Sequence, residues 1–329
     1  MSVLVTGGAG YIGSHTVRKL VERGDEVVVL DSLRTGHPAA VSGCPLVVGT
    51  VGDAALVARV LQDHDVTSVI HFAGLKNPGE SMEQPGLYFR ENVTGTLTLL
   101  DAAADAGIHA FVFSSSCSVY GNPTSLPVDE SAPRRPESPY GQSKQMGEDL
   151  LAWFDRCRGV RSISLRYFNA SGAAADASIG ETWDQTQNLI PLVIAAALGR
   201  RGPVKVFGTD YPTPDGTAIR DYVHVDDLAD AHLRALDHLT AGGTTTAVNL
   251  GSGTGSSVSE VLAATAAVSG QSVPCEHTGR RPGDPAAVFA DNSYASELLG
   301  WRPTHDLDEI VASAWKWHST HPNGYATVE

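Results

Sequence analysis

The most constraining feature of this chain lies at its start. A short apolar, β-branched run, Val3-Leu-Val-Thr6, passes directly into Gly7-Gly-Ala-Gly10-Tyr-Ile-Gly13, which opens a helix-length stretch at about 12 to 23. Glycines at 7, 10 and 13 permit a tight strand-to-helix turn, close approach of an anion to the backbone, and close packing of helix on strand. The first amides of that helix point at the anion, which a pyrophosphate fits. Asp31, 18 residues beyond Gly13, ends the next apolar run. A carboxylate there accepts both hydroxyls of an adenosine ribose and repels a 2'-phosphate. The pattern therefore predicts NAD rather than NADP, with Arg34 the nearby residue that keeps NADP open.

The same alternation continues. Near-continuously apolar runs at 2 to 6, 26 to 30, 45 to 48, 68 to 73, 109 to 114 and 160 to 166 are separated by helix-length stretches at about 12 to 23, 54 to 63, 92 to 106 and 140 to 157. Strand and helix in turn, with strands apolar on both faces, predict an α/β fold built on a doubly wound parallel Rossmann sheet. After Asn169 the pattern changes: a Gly/Ala/Asp-rich loop, a helix at about 187 to 199 and a short strand at 204 to 207 predict a smaller C-terminal α/β domain. Arg220-Asp-Tyr-Val-His-Val225 with the helix after it, for which Asp226 is the expected N-cap, returns to the first sheet. The expected division is 1–168 joined by 221–250, against 169–220 and 251–329. At 329 residues the chain is long enough for two cores.

Charge and cysteine usage narrow the partners. Lys and Arg number 23 against 37 Asp and Glu, a net charge of -14, and the basic residues are scattered, so neither nucleic acid nor an anionic membrane is an expected partner. Cys44, Cys117, Cys157 and Cys275 lack metal or redox spacing and read as reduced thiols. The chain enters a strand at once, and no apolar run approaches the ~18 residues of a membrane span. A cytoplasmic protein without a metal is expected.

A second constellation carries chemistry. Ser138 and Pro139 suit N-cap and first helical position of a helix that begins Tyr140-Gly-Gln-Ser-Lys144. At i and i+4 the phenol and the ammonium share one face. A tyrosine acting as a base near neutrality must lose about three pKa units, roughly 4 kcal/mol. An ammonium about 6 Å away supplies on the order of 3 kcal/mol at an effective dielectric near 20, and the nicotinamide cation supplies the rest. The strand at 109 to 114 ends in Ser114-Ser-Ser116, at the sheet edge where open α/β folds bind ligands, so Ser116 is placed to share a proton with Tyr140. His71 and His224 fall in strands and read as packed, hydrogen-bonded core histidines rather than bases.

Taken in order, the glycine loop, Asp31, the strand-end serine and the downstream Tyr-x-x-x-Lys resemble the extended short-chain dehydrogenase/reductase superfamily. Within it the chain is similar to the UDP-glucose 4-epimerase family, through His71-Phe-Ala-Gly-Leu-Lys76, Arg166-Tyr-Phe-Asn169, Phe207-Gly-Thr-Asp-Tyr-Pro-Thr213, Asp215-Gly-Thr-Ala-Ile-Arg-Asp-Tyr222, Arg281-Pro-Gly-Asp284 and His321-Pro-Asn-Gly324. The resemblance implies that Tyr140, Lys144 and Ser116 are catalytic. It implies NAD contacts at Gly7, Gly10, Tyr11, Ile12, Gly13, Asp31 and Ser32, then at Asp53, Ala54, Phe72, Ala73 and Lys76, and finally at Ser114, Tyr140, Lys144, Tyr167 and Phe168. For a UDP-hexose it implies Lys76, Ser116, Tyr140, Asn169, Asn188, Leu189, Phe207, Arg220, Arg281, Asp284 and Val288. Arg220 and Arg281 would meet a pyrophosphate, Phe207 an apolar uracil face and Asp284 the ribose hydroxyls. Ser32, Glu91 and Gln187 stand where the family usually has asparagine.

The implied reaction is reversible epimerisation at C4 of UDP-glucose and UDP-galactose through a 4-keto sugar, in a homodimer paired through the helices at about 92 to 106 and 140 to 157. Val288 is expected beside the C2 substituent and leaves room for UDP-N-acetylglucosamine as a weaker substrate. A 4-epimerase of UDP-N-acetylhexosamines or UDP-glucuronate is the alternative enzyme. An NAD-sensing protein without catalysis is the alternative outside enzymes.

Overall fold

In the computed structural model residues 1–183, 186–281 and 283–325 are described; Pro282 of the Arg281–Asp284 motif and the last four residues of the expected second domain lie outside them. The first strands and helices fall where the apolar runs place them: β1 (Ser2–Thr6), α1 (Tyr11–Arg23), β2 (Glu26–Asp31), β3 (Leu46–Val48), α2 (Ala54–Asp63), β4 (Ser68–His71), β5 (Ala110–Ser114) and β6 (Arg161–Tyr167). The tyrosine helix runs Pro139–Arg158, capped by the Ser138 side chain on the Gly141 amide.

Seven strands form one sheet in the order Thr246–Leu250, β6, β5, β4, β1, β2, β3, and every pairing is parallel. The order reverses between β1 and β4, so the loops after these two strands diverge and leave a crevice at the carboxyl edge. Alternate residues of β1 supply two cores: Val3 and Val5 pack with Val17, Leu20, Leu228 and Leu236 on one face, and Leu4 packs with Val57, Leu99, Leu100 and Phe111 on the other. Each such buried aliphatic side chain contributes about 1.5–3 kcal/mol. A third core joins helices Leu189–Ala197, Val258–Ser269 and Leu307–Thr320 through Ile190, Val193, Ile194, Val261, Ile310 and Val311.

Three local expectations are corrected. The stretch at 220 to 225 is two short strands rather than one. Ile219–Arg220 pairs with Ser256–Ser257 and with Ala287–Val288, and Tyr222–His224 pairs with Asn169–Ser171. The buried Asp221 carboxylate between them accepts the Ser252 amide at 2.6 Å and the Ala290 amide at 2.9 Å, which turns the chain. Asp226 does not cap the following helix, Val225–Thr240. The imidazole of His224 accepts the Asp226 amide in its first turn instead, and the Asp226 carboxylate pairs with His15 Nδ1 of α1 at 2.6 Å. The helix at about 92 to 106 starts as regular helix only at Gly95; a wide π-type turn, Phe89–Thr94, precedes it. That turn aims Asn92 inward, so that its amide oxygen takes the Leu75 amide at 2.7 Å and its nitrogen donates to the Leu75 carbonyl and to Ser143 Oγ, both at 2.9 Å.

Candidate active site

The crevice begins with the glycine loop. Gly7 has φ +72°, and a methyl there would lie 2.6 Å from the Ala73 amide nitrogen, so loop and β4 exit touch backbone to backbone. Gly10 caps α1 without any side-chain hydrogen bond, which leaves the first amides of a 13-residue helix for an outside acceptor. At the end of β2, Asp31 is buried and accepts the Ala9 amide at 3.0 Å and the Leu33 amide at 2.8 Å. Burial raises its pKa while these two donors oppose the shift. Ser32 is exposed, and Arg34 beside it makes no ion pair among the described residues. Asp53 caps α2 through the Leu56 amide, with Ala54 exposed after it. An open helix end, an uncrowded turn and a carboxylate at the second strand fit a dinucleotide, and more closely one without a 2'-phosphate.

One consequence is directly testable. A methyl at Gly13 would run into the Gly7 carbonyl oxygen and lie 2.8 Å from Gly8 Cα, backbone atoms that cannot swing away. Gly13→Ala is expected to be purified with on the order of tenfold less bound nucleotide, as 1–3 kcal/mol of overpacking implies. Chromatography of the nucleotide released by heat measures it, and full occupancy would sink the assignment of this turn.

The tyrosine helix brings the second constellation to the same edge. Tyr140 is buried, packs edge-on to Tyr88, and has its pKa pushed up to about 12, chiefly by burial, with the Ser116 hydroxyl pulling it down. Lys144 Nζ lies 6.0 Å from the Tyr140 ring centroid and donates to the Ser114 carbonyl at 2.7 Å. Burial lowers the Lys144 pKa to about 8, against the raising effect of Glu148 one turn on. The 6.0 Å separation of ammonium and ring is the one the sequence argument used, and burial of the phenol is a cost that the ammonium and a cofactor cation would both have to offset. Ser116 Oγ accepts the Ser118 amide and donates to Ser118 Oγ, both at 3.2 Å. Ser114 Oγ is paired with the Tyr167 phenol.

A separate apolar cluster packs Phe168 with Val119, Tyr120, Val128 and Ala290, and Val288 and Cys117 lie against them, half-buried. Phe72 leans on the His232 ring at 4.5 Å, and Ile12 packs into the first core. His71 bonds Thr6 and Thr96 and His224 bonds Ser313, and burial depresses both imidazoles, to about 3 and about 4. They are core residues, as the sequence reading has them.

The residues expected at the sugar nucleotide each have defined partners. Asn169 donates its side-chain amide to the Asp221 carbonyl at 2.8 Å. Asn188 ends the approach to helix Leu189–Ala197, and Leu189 opens it. Arg220 is paired with Asp284, and the Arg281 guanidinium lies 4.0 Å from the Phe207 ring centroid. Two pairs among them are engaged with one another: Asp284 with Arg220, and Phe207 with the Arg281 guanidinium on its face.

The glycine loop, buried Tyr140 over Lys144, and a strand-end serine in one crevice are the arrangement of a dinucleotide-dependent enzyme acting at a substrate carbon. The sequence pattern of the NAD dependent epimerase/dehydratase family matches residues 3–251. The chain belongs to that family. Its similarity to a UDP-glucose 4-epimerase of Streptococcus mutans is 47% identity, over 99% of both chains. A solved UDP-glucose 4-epimerase of Brucella ovis in complex with NAD superposes with a TM-score of 0.94, at 45% identity, covering 96% of this chain and 97% of that one. One from Bifidobacterium longum, in complex with NAD+ and UDP, gives 0.92 at 38%, covering 99% and 100%.

Against this family background, two residues escaped the sequence reading. Glu181 is buried, accepting from Lys76 and from Asn188, and Glu148 receives Ser115, Arg134 and Arg166. Glu148 was within reach of spacing, since it continues the Tyr140 and Lys144 face by one more turn. Glu181 sits in the irregular segment after Asn169, where no periodicity marks a buried carboxylate.

Proposed function

We propose that this chain interconverts UDP-glucose and UDP-galactose at C4, with NAD as its resident cofactor. The observation that carries the reading is the buried Tyr140, with Ser116 and Lys144 at its side, at the mouth of an NAD-type glycine loop. NAD, when bound, accepts and returns the hydride at C4 and places a positive charge beside the phenol. Tyr140 takes the 4-hydroxyl proton as the sugar becomes a 4-keto species and gives it back on the other face. Ser116 holds the same oxygen by a hydrogen bond, and Lys144 keeps the local charge positive below its pKa of about 8. Lys76, Asn169, Asn188, Arg220, Arg281, Asp284, Phe207 and Leu189 grip the nucleotide while the sugar turns, and Val288 borders the hexose. The cycle is redox-neutral, so the cofactor stays bound. The purified protein is expected to convert UDP-galactose to UDP-glucose without added cofactor. Absence of a C4 epimer from either sugar nucleotide would overturn the reading, and heat-released NADP would overturn the role given to Asp31.

The working unit in this reading is a homodimer of two-domain chains, 1–168 with 221–250 against the remainder. On the adjacent helices Gly95–Asp105 and Pro139–Arg158, Leu97 and Met146 are each 37% exposed and Trp153 is 60% exposed. Large apolar side chains on one face of two neighbouring helices are what a partner helix pair covers. Light scattering at micromolar concentration should give twice the 34.5 kDa chain mass, and Trp153→Glu should shift it toward one chain. A monomer in the unmodified protein would count against this face. Cytoplasm is the compartment we propose, because the four cysteines are unpaired. Among the described residues no helix is long and apolar enough to cross a membrane.

A further inference from the structure

Lys76, assigned above to the cofactor and the substrate, and Asn188, assigned to the sugar nucleotide, are joined by a carboxylate that neither motif contains. Glu181 is 6% exposed. Its Oε1 accepts Lys76 Nζ at 3.4 Å and Asn188 Nδ2 at 3.1 Å, and its Oε2 lies 3.3 Å from the same amide nitrogen. The two residues belong to different elements: Lys76 Nζ stands 6.0 Å from the ring centroid of Tyr11, the first residue of α1, while Asn188 precedes helix Leu189–Ala197.

The backbone under Glu181 is fixed independently of these contacts. Trp317 Nε1 donates to the Glu181 carbonyl at 2.7 Å, the Tyr325 hydroxyl bonds both the amide and the carbonyl of Gly180 at 3.0 Å, and a methyl at Gly180 would lie 2.6 Å from the Trp317 ring. Burying a carboxylate is unfavourable unless it is well paired, and its one ion-pair partner among the described residues, Lys76, has a side chain that is 58% exposed. Packing alone does not call for a charge at this position. A residue that must hold two ligand-binding groups in one arrangement does.

We propose that Glu181 is a positioning residue that couples cofactor occupancy to sugar-nucleotide binding, an inference that rests on the function proposed above. Glu181 holds Lys76 and Asn188 in one hydrogen-bonded unit. A cofactor that orders Lys76 thereby orders the Asn188 amide, and the nucleotide diphosphate meets a preset partner. Coupling between two sites is reciprocal, so the occupied sugar-nucleotide site retards loss of the cofactor by the same route.

The experiment measures the rate of NAD release from the full-length protein with and without saturating UDP, UDP binding by calorimetry, and KM and kcat for UDP-galactose, in the unmodified chain, Glu181→Gln and Glu181→Asp. UDP is expected to slow NAD release about tenfold in the unmodified chain and no more than about twofold in Glu181→Gln, within the usual size of such couplings. KM should rise about tenfold in the glutamine variant with kcat within about threefold, and Glu181→Asp, which keeps the charge, should recover most of the coupling. A residue that only supports the fold would not split KM from kcat or change the effect of UDP on NAD release. Unchanged coupling and KM in Glu181→Gln overturn the proposal, as does an unmodified chain that epimerises while UDP leaves NAD release unaffected. Should Glu181→Gln fail to fold, coupling in Glu181→Asp equal to that of Glu181→Ala overturns it. An unmodified chain that binds neither NAD nor UDP instead defeats the functional reading itself.

Discussion

Tyr140→Phe is expected to keep its fold, its NAD and its affinity for UDP-sugars while losing about a hundredfold or more in kcat, the usual cost of removing an acid/base group. The variant retains the ring that packs against Tyr88 and deletes only the oxygen that Ser116 addresses. No other described group is placed to take over. Ser116 has no strong base of its own, since its hydroxyl is turned to Ser118, and Lys144 spends a proton on the Ser114 carbonyl. His71 is sealed between two threonines with its imidazole held neutral. Turnover of UDP-galactose measured beside the content of bound nucleotide decides the matter: a rate near that of the unmodified protein would require another base, whereas a fall in rate accompanied by loss of nucleotide would make Tyr140 a binding residue.

What sequence could show here divides along physical lines. Strand positions and the glycine turn were legible because local pattern dictates them: Val3, Leu4 and Val5 are apolar on both faces of a covered strand, and Gly7 and Gly13 stand where a side chain would strike backbone. Ser138, Pro139, Tyr140 and Lys144 were legible for the same reason, being caps and one helical turn. The errors are tertiary. Asp226 is a good cap in isolation, but His15, 211 residues away in sequence, draws its carboxylate off. The desolvation that raises the Tyr140 phenol depends on burial, which the Tyr-x-x-x-Lys spacing does not show. Glu181 reaches Lys76 across 105 residues, and no spacing rule spans that distance.

Glu148→Gln is expected to cost about 3–5 kcal/mol of stability, the effect of leaving one member of a buried ion pair without its partner. Its carboxylate accepts Ser115 Oγ at 2.6 Å, Arg166 Nε at 2.9 Å, Arg166 Nη2 at 2.6 Å and Arg134 Nη1 at 3.2 Å. Arg166 is 5% exposed, and although burial opposes its charge, the contacts with Glu148 hold its pKa above the usual value. A neutral amide accepts fewer of these donors and leaves a guanidinium in the interior beside Tyr120, to which Arg166 Nη1 donates at 2.8 Å. The same substitution reaches the chemistry. Glu148 raises the Lys144 pKa against burial, so removing its charge lowers that pKa below about 8. The ammonium is the form that assists Tyr140, and it is present below the pKa of Lys144 and lost above it. The alkaline limb of kcat/KM should therefore move to lower pH, while the melting temperature falls by roughly 5 to 10 °C. Thermal unfolding and a pH profile on one preparation test both parts. An unchanged melting temperature would mean that Arg134 and Ser115 compensate for the lost charge, and an unmoved alkaline limb would remove Glu148 from the control of Lys144.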